Sequence, residues 1–341
     1  MSEIAVLLTG GTIGQQDRIG GSIPDADATE RLVRRCAPAG FRVRVVRVMQ
    51  RDSPDISPHD WQALAHAADR ELASGAQGVV VLHGTDTLAY SAAALYLALP
   101  APTGPVVITG SMWPADAPAS DAPRNLASAL RVAATTDLGV CVVMGTDHFE
   151  GAAAVLDPRS VVKTRTHGDA AFSSIGFPIF GYVQDDTVTI TSYPAPVLAS
   201  TPSIVGFREV SDESVLSTFD NSVDIVKISP FTDPDRLQGI LGGLRGVVIE
   251  GYGAGHVPKS HLDVMREFAG PVVLTTQVVT DAERLGSYAS DGAILQLPNV
   301  IPAGATTSTM ALVTLSWALG NGQDPSALFV KPTSEPLSNP H

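Results

Sequence analysis

The most constraining feature of the sequence is a series of short β-branched runs, each separated from the next by a helical segment. Ile4–Leu8, Val43–Val48, Val79–Leu82, Val106–Thr109 and Val140–Met144 read as strands buried on both faces. Between them, Pro58–Ser74 is the clearest helix. Ser57 stands at its cap, Pro58 suits the first turn, and Trp61, Leu64, Ala65, Ala68 and Leu72 form one apolar stripe. Leu88–Leu99 and Asn125–Ala134 read as further helices. Alternation of this kind predicts an α/β fold with a doubly wound, mainly parallel sheet. In such sheets ligands bind beyond the carboxyl ends of the strands.

From Val162 to Val188 the pattern is less regular, with strand pairs predicted around Phe177–Val183 and Thr187–Thr191. Residues 192–221, rich in Pro, Ser and Thr, read as a linker. A smaller α/β unit follows, with strands at Asp224–Ile228, Gly246–Glu250 and Val272–Thr275 and helices near Lys259–Phe268 and Ser308–Leu319. The expected division is an N-terminal domain over 1–191, a linker over 192–221, a C-terminal domain over 222–331 and a polar tail over 332–341.

Composition narrows the function. Of the 341 residues, 44% are hydrophobic and 17% charged, which suits a packed globular chain and not disorder. With 22 basic against 35 acidic residues the net charge is −13. No long basic run is present: Arg34–Arg35 is short, and Arg42, Arg44 and Arg47 alternate as on the solvent face of a strand. Nucleic acid and anionic membrane are therefore not expected partners. Cys36 and Cys141 lack metal-ligand spacing and read as buried reduced thiols. No basic leader precedes Ile4–Leu8 and no apolar run has the length of a membrane span, so a cytoplasmic location is expected.

Three strand ends carry glycine- and hydroxyl-rich segments. These are Thr9-Gly10-Gly11-Thr12-Ile13-Gly14, His83-Gly84-Thr85-Asp86-Thr87 and Thr109-Gly110-Ser111-Met112-Trp113-Pro114. Glycines admit a ligand close to backbone N–H groups, and neighbouring hydroxyls can attack a carbonyl or donate to an oxyanion. None of the segments has the GxxxxGK[ST] or GxGxxG spacing, which disfavours ATP and nicotinamide. Taken singly, Thr12 and Thr85 read better as turn hydroxyls that cap helices, and Lys163 as a solvated surface lysine.

Together the blocks are specific. Leu7–Gly14, Leu82–Leu88 and Val107–Met112 resemble the signature blocks of bacterial L-asparaginases. Val162-Lys163-Thr164-Arg165-Thr166 is similar to that family's lysine segment, and Gly251-Tyr252-Gly253-Ala254-Gly255 to a block of its C-terminal domain. The likeness runs in order from about residue 4 to about residue 320. It implies a large N-terminal and a smaller C-terminal α/β domain, and hydrolysis of a side-chain amide to acid and ammonia through a covalent acyl-enzyme. It places the two threonines at Thr12 and Thr85, with Asp86 beside the latter, and the lysine at Lys163. Ser53 takes the place of the serine that holds the ligand carboxylate. Gly11, Gly84 and Ser111, within the blocks, are carried over as substrate-binding positions. No metal or organic cofactor is implied. The expected partners are a small-molecule amide and further copies of the chain, in a homodimer or homotetramer whose C-terminal domains complete neighbouring sites.

Amide hydrolysis needs a nucleophile, a base, oxyanion donors and a proton for the departing nitrogen. No histidine is placed as an obvious base, and His83 reads as structural. Lys163 is the candidate, provided its amine is neutral. Desolvation favours that form and Asp86 the ammonium, and the sequence leaves the balance open. Asp121 and Arg124 read as a loop pair.

The chain also departs from the family pattern. Ser22, in Gly20-Gly21-Ser22-Ile23-Pro24, stands where a mobile lid usually carries a tyrosine, and residues 9–30 contain no tyrosine. Pro54 follows Ser53 where a polar side chain is usual, removing that group and a backbone donor. His256 takes the place of an asparagine, and no acidic match is clear near Val279–Glu283. The reading is therefore an asparaginase-like amidohydrolase with a remodelled subsite for the amino-acid end of its substrate. An ordinary L-asparaginase is the first alternative, and a non-catalytic ligand-binding or regulatory module the second. The four retained groups oppose the module, and an amidotransferase component is disfavoured for want of a basic surface.

Overall fold

The computed structural model describes residues 2–11, 15–16, 23–24, 26–191, 218–279, 292–304 and 306–329. Among the described residues the N-terminal part forms an eight-stranded sheet. Its parallel half consists of β1 (Ser2–Gly10), β4 (Phe41–Arg51), β5 (Gly78–Leu82), β6 (Val106–Thr109) and β7 (Val140–Gly145). These lie in the order β4-β1-β5-β6-β7. A two-stranded ribbon, β2 (Gln15–Gln16) with β3 (Ile23–Pro24), follows β1. The sheet continues antiparallel through β8 (Ala153–Leu156), β11 (Gly181–Gln184) and β12 (Thr187–Ile190). An outlying antiparallel pair, β9 (Val161–Lys163) and β10 (Phe172–Ser174), lies between β8 and β11 in sequence.

The period of two along each strand sorts its side chains into two cores. Ala5, Leu7, Val79, Val81, Val106 and Ile108 face α2 (Pro58–Ala73) and α3 (Leu88–Ala98). Ile4, Val6, Leu8, Val80, Leu82 and Val107 face α1 (Ala26–Cys36) and α4 (Ala122–Thr135). Strands β1, β5, β6 and β7 are almost wholly buried, as their uninterrupted apolar runs require. Edge strand β4 is half-exposed, and its arginines are spoken for. Arg42 and Arg44 pair with Glu3, and Arg47 pairs with Glu30 at 3.0 Å. Helix α2 starts as expected: the Asp60 carboxylate accepts the Ser57 N–H and hydroxyl at 2.9 and 2.7 Å.

The smaller unit is a four-stranded parallel sheet of β13 (Val223–Lys227), β14 (Gly246–Gly251), β15 (Val272–Thr276) and β16 (Val300–Pro302). One face packs on α5 (Pro234–Leu241), α6 (Leu262–Glu267) and α7 (Gly292–Leu295) through Leu237, Leu241, Met265 and Ile294. The other face packs on α8 (Ser308–Gly320) through Ala311 and Leu315. The helix expected near Lys259–Phe268 opens as a 3-10 turn over Lys259–His261 and is α-helical only from Leu262.

Helix α8 is apolar around its whole circumference, which marks a helix buried on every side. Met310, Val313, Trp317 and Ala318 enter the same core as α2 and α3 while Ala311 and Leu315 cover the smaller sheet. Phe219 joins them edge-to-face on Trp61, with centroids 5.2 Å apart. Of the segment read as a linker, residues 192–217 lie outside the described residues, and so does the tail over 332–341.

Among the described residues no helix is long and apolar enough to cross a membrane. Burial pushes the Cys141 thiol up to about 12, with Asp157 adding to the effect, so it remains a protonated core side chain. Cys36 is only half-buried.

Trp317, 1% exposed, seats α8 in the core of the large sheet. Trp317→Ala is expected to remove about 3–5 kcal/mol of stability in urea denaturation. A loss under about 1 kcal/mol would contradict this role for α8.

Candidate active site

The parallel order brings the carboxyl ends of β4, β1, β5 and β6 to one edge, and hydrogen bonds lock the turns that follow them together. Thr9 donates its hydroxyl to Leu82 O at 2.9 Å. His83 N donates to Thr109 O at 2.8 Å, and the Thr109 hydroxyl to Val143 O at 2.7 Å. Ser53 opens a 3-10 turn immediately after β4. Its hydroxyl accepts Asp86 N at 3.2 Å, and its carbonyl accepts the Thr87 hydroxyl at 2.6 Å.

Two glycines make this convergence possible. At Gly11, φ is +81° and a Cβ would lie 2.4 Å from Gly84 Cα. A Cβ on Gly84 would lie 2.7 Å from Ser53 Oγ. The backbones of the first and second blocks thus touch, and Ser53 touches the second. No side chain larger than hydrogen fits between them.

Lys163 approaches from the last residue of β9. Its Nζ donates to Thr85 Oγ1 at 2.9 Å and to Asp86 Oδ1 at 2.7 Å. The Thr85 side chain lies at the bottom, 7% exposed, while the lysine side chain is 21% exposed and Asp86 60%. The amine is therefore withdrawn from bulk water beside a buried hydroxyl, with a solvated carboxylate on its outer side. It carries one more hydrogen than these two contacts use when protonated. Such an arrangement can exchange a proton between a hydroxyl and an amine and hold a charge on the amine while a bond breaks.

Beneath the site, His83 is fully buried and its ring is held at both nitrogens. Nδ1 lies 2.7 Å from Gly84 O, which only accepts, so Nδ1 carries the hydrogen. Nε2 lies 2.9 Å from Ser91 Oγ, which also receives Trp61 Nε1–H at 3.0 Å. Burial holds the ring below the usual histidine range, with the hydrogen bond to Gly84 opposing the shift. A neutral ring fits a supporting role.

Asp121 and Arg124 do not pair with each other as the sequence suggested. Asp121 is 2% exposed and accepts Met112 N at 3.0 Å and Trp113 N at 3.1 Å, fixing the third block. Asn125, one turn further along α4, donates to Asp121 Oδ2 at 2.9 Å and to Gly110 O at 3.0 Å. Arg124 instead reaches Asp169 at 2.7 Å. Four-residue spacing at the start of a helix was the available signal for the Asp121–Asn125 pair.

The remaining sequence-derived positions divide as follows. Thr12 and Ser22 lie outside the described residues. Pro54 is exposed on the turn that begins with Ser53. Ser111 is fully buried, with its hydroxyl donating to Trp113 O at 2.7 Å, so that hydroxyl is engaged within its own turn. His256 closes a tight loop after β14 by exchanging two backbone hydrogen bonds of 2.8 Å with Tyr252. Of the region Val279–Glu283, only Val279 is described. Among the described residues no cluster of His, Cys, Asp and Glu is arranged to hold a metal.

Comparison with known proteins meets this geometry from outside. The model of the asparaginase N-terminal domain matches residues 3–196, and that of the glutaminase/asparaginase C-terminal domain matches residues 222–328. The chain belongs to the asparaginase family. The L-asparaginase of Thermococcus kodakarensis is 34% identical over 329 residues, 94% of either chain. A component of the glutamyl-tRNA(Gln) amidotransferase of Halobacterium salinarum is 34% identical over 95% of this chain and 77% of its own. The solved structure of the Thermococcus kodakarensis L-asparaginase superposes with a TM-score of 0.82 at 32% identity, covering 96% of this chain and 95% of that one. These archaeal relatives make the assignment broader than the bacterial branch that the signature blocks suggested. This asparaginase-family protein is an amidohydrolase, acting on amide carbon–nitrogen bonds.

Two outcomes follow for this family member. Gly84→Ala pushes a methyl group into Ser53 and should lower kcat/KM about 10²-fold. Gly239→Ala, where a Cβ meets nothing within 4 Å, should leave activity unchanged. Equal activity in both variants would contradict the close-approach account. For His83, the folded state binds its proton less readily than the unfolded chain. Its contribution is complete above the ordinary histidine value of about 6.5 and is lost as pH falls below it. Urea midpoints measured between about pH 7 and pH 5 should fall with pH in the wild type, and less steeply in His83→Asn. Identical slopes would refute the neutral-ring assignment.

Proposed function

We propose that a threonine hydroxyl of this site attacks a side-chain carboxamide, with Lys163 as the proton carrier and Asp86 as the group that orients its amine. The observation that carries the reading is the placement of Lys163 Nζ 2.9 Å from Thr85 Oγ1 and 2.7 Å from Asp86 Oδ1. The attacking oxygen, of Thr12 or Thr85, bonds to the carbonyl carbon, and its proton passes to the amine of Lys163. N–H groups of the glycine blocks at Gly11 and Gly84 hold the oxyanion. The carbon–nitrogen bond then breaks as the lysine ammonium returns the proton to the nitrogen, and ammonia leaves. Water cleaves the ester by the same proton path, releasing the acid and restoring the hydroxyl.

The substrate is an amide other than free L-asparagine, either bulkier or lacking a free α-amino or α-carboxyl group. Ser22 in place of the lid tyrosine, Pro54 beside Ser53, and His256 in place of an asparagine all alter the subsite for the amino-acid end. The amidotransferase relative is in keeping with a family that serves more than one amide. Ordinary L-asparaginase activity is the second reading, favoured by the 34% identity to a named L-asparaginase along 94% of both chains. The protein works in the cytoplasm as a homodimer or homotetramer. It is divided into a catalytic domain over 1–191 and a C-terminal domain over 222–331.

An ammonia-release screen over asparagine, glutamine, their dipeptides and cyclic imides tests both levels. Lys163→Met should lower turnover of the best substrate by roughly 10²–10⁴-fold. Thr12→Ala and Thr85→Ala should lose at least as much. Wild-type turnover in Lys163→Met would remove the proposed chemistry, and L-asparagine emerging as the best substrate would remove the proposed substrate class.

A further inference from the structure

Lys163 ends one strand of a hairpin whose base is seated in the large core through Val161, Ala171 and Phe172, while its loop over 164–169 is largely exposed. Strands β9 and β10 pair only with each other, Lys163 opposite Phe172, and form no part of the large sheet. The loop between them, residues 164–171, turns back so that Thr164 N donates to Ala171 O at 2.8 Å. Asp169 lies in that loop, three residues before Phe172. Its Oδ2 accepts Arg124 Nη1 at 2.7 Å. On its other edge, the Arg124 guanidinium donates from Nε and Nη2 to Asn125 Oδ1, at 3.2 and 3.1 Å. Asn125 Nδ2 donates in turn to Gly110 O. A Cβ on Gly110 would lie 2.4 Å from His83 O and 3.4 Å from Thr85 Cγ2, so that backbone packs directly behind the threonine.

A continuous chain of polar contacts therefore runs from the lysine hairpin to the wall behind Thr85, and Arg124 is its middle member. The Arg124 side chain is 20% exposed and that of Asp169 48%. A second tie on the same loop, Arg165 to Asp147 at 3.0 Å, has both side chains more than half exposed and is weakened by solvent and salt. The fold also reserves space for Arg124. At Gly145, the last residue of β7, a Cβ would stand within 2.8 Å of the Arg124 Cζ and 2.7 Å of the Asp169 carbonyl. Glycine at this position leaves room for the guanidinium.

We propose that Arg124 is a positioning residue that sets the Lys163 hairpin against Thr85 by bridging Asp169 to Asn125, and that Gly145 is glycine to admit it. The inference rests on the catalytic reading of Lys163 given above. A planar fork with donors on two edges fits this bridge, because the compact ammonium of a lysine does not reproduce the fixed spacing of the Asp169 and Asn125 contacts. Loss of the bridge should misplace the amine without emptying the substrate subsites.

The experiment compares Arg124→Lys, Gly145→Ala and Lys163→Met with the wild-type enzyme on the best amide of the release screen. It reads kcat, KM and the thermal midpoint. Arg124→Lys keeps the charge and Gly145→Ala keeps every charged group, so either reports if the other fails to fold. Both should lower kcat about 10–10²-fold with KM changed less than about threefold and the protein folded at the assay temperature. Wild-type kcat in both, alongside an inactive Lys163→Met, would overturn the positioning role and leave the lysine's role standing. Wild-type kcat in Lys163→Met would overturn both. A fall in kcat that merely follows the folded fraction would assign Arg124 to stability and overturn the proposal.

Discussion

The hydrogen bond from Lys163 Nζ to Thr85 Oγ1 joins parts of the chain 78 residues apart, and the proposed chemistry depends on that contact. Neither side chain arrives by local preference. Thr85 is presented by the turn from β5 into α3, whose backbone is pressed between Gly11 and Ser53. Lys163 ends a short strand outside the main sheet. Withdrawing an amine from water is unfavourable unless hydrogen bonds replace its hydration. Here Thr85 and Asp86 supply two of them. Asp86 is mostly solvated, so the ion pair adds little to stability. Its effect is to hold the amine in one orientation.

The large sheet and the site are coupled by the same hydrogen bonds. Thr9, His83 and Thr109 each tie the end of one strand to the next through a backbone carbonyl. The turns of the candidate site are thereby carried on strands buried on both faces, a rigid support. Helix α8 extends this rigidity. By entering the large core with Trp317 and covering the smaller sheet with Leu315, it fixes one unit on the other. The loop bearing His256 is attached to the second of these units.

Elements with an uninterrupted apolar run or a clear amphipathic stripe were legible in the sequence, notably β1, β5, β6, β7 and α2. Helices α1 and α5 were not. Each buries only a pair of large apolar side chains, Leu32 with Val33 and Leu237 with Leu241, too few for a visible period. Strands β8, β9 and β10 have only three or four residues each and carry little pattern. At the candidate site, Thr85, Asp86, Ser53 and the glycines stood out through the resemblance of their blocks to a known family, and the structure brings them together at the strand ends. The Ser111 hydroxyl closes its own turn on Trp113 O, a contact that its place in the third block did not announce. Arg124 was paired with the wrong aspartate, because its partner Asp169 lies 45 residues away and no spacing rule links them.

The central claim is that the Lys163 amine itself carries the proton, and replacing that amine from solution tests it most directly. Lys163→Ala should be inactive and should regain turnover when small primary amines are added, with the rate rising as amine basicity rises. The wild-type enzyme should be indifferent to the same amines. No recovery at any amine basicity in a correctly folded Lys163→Ala protein, or equal acceleration of the wild type, would contradict the account.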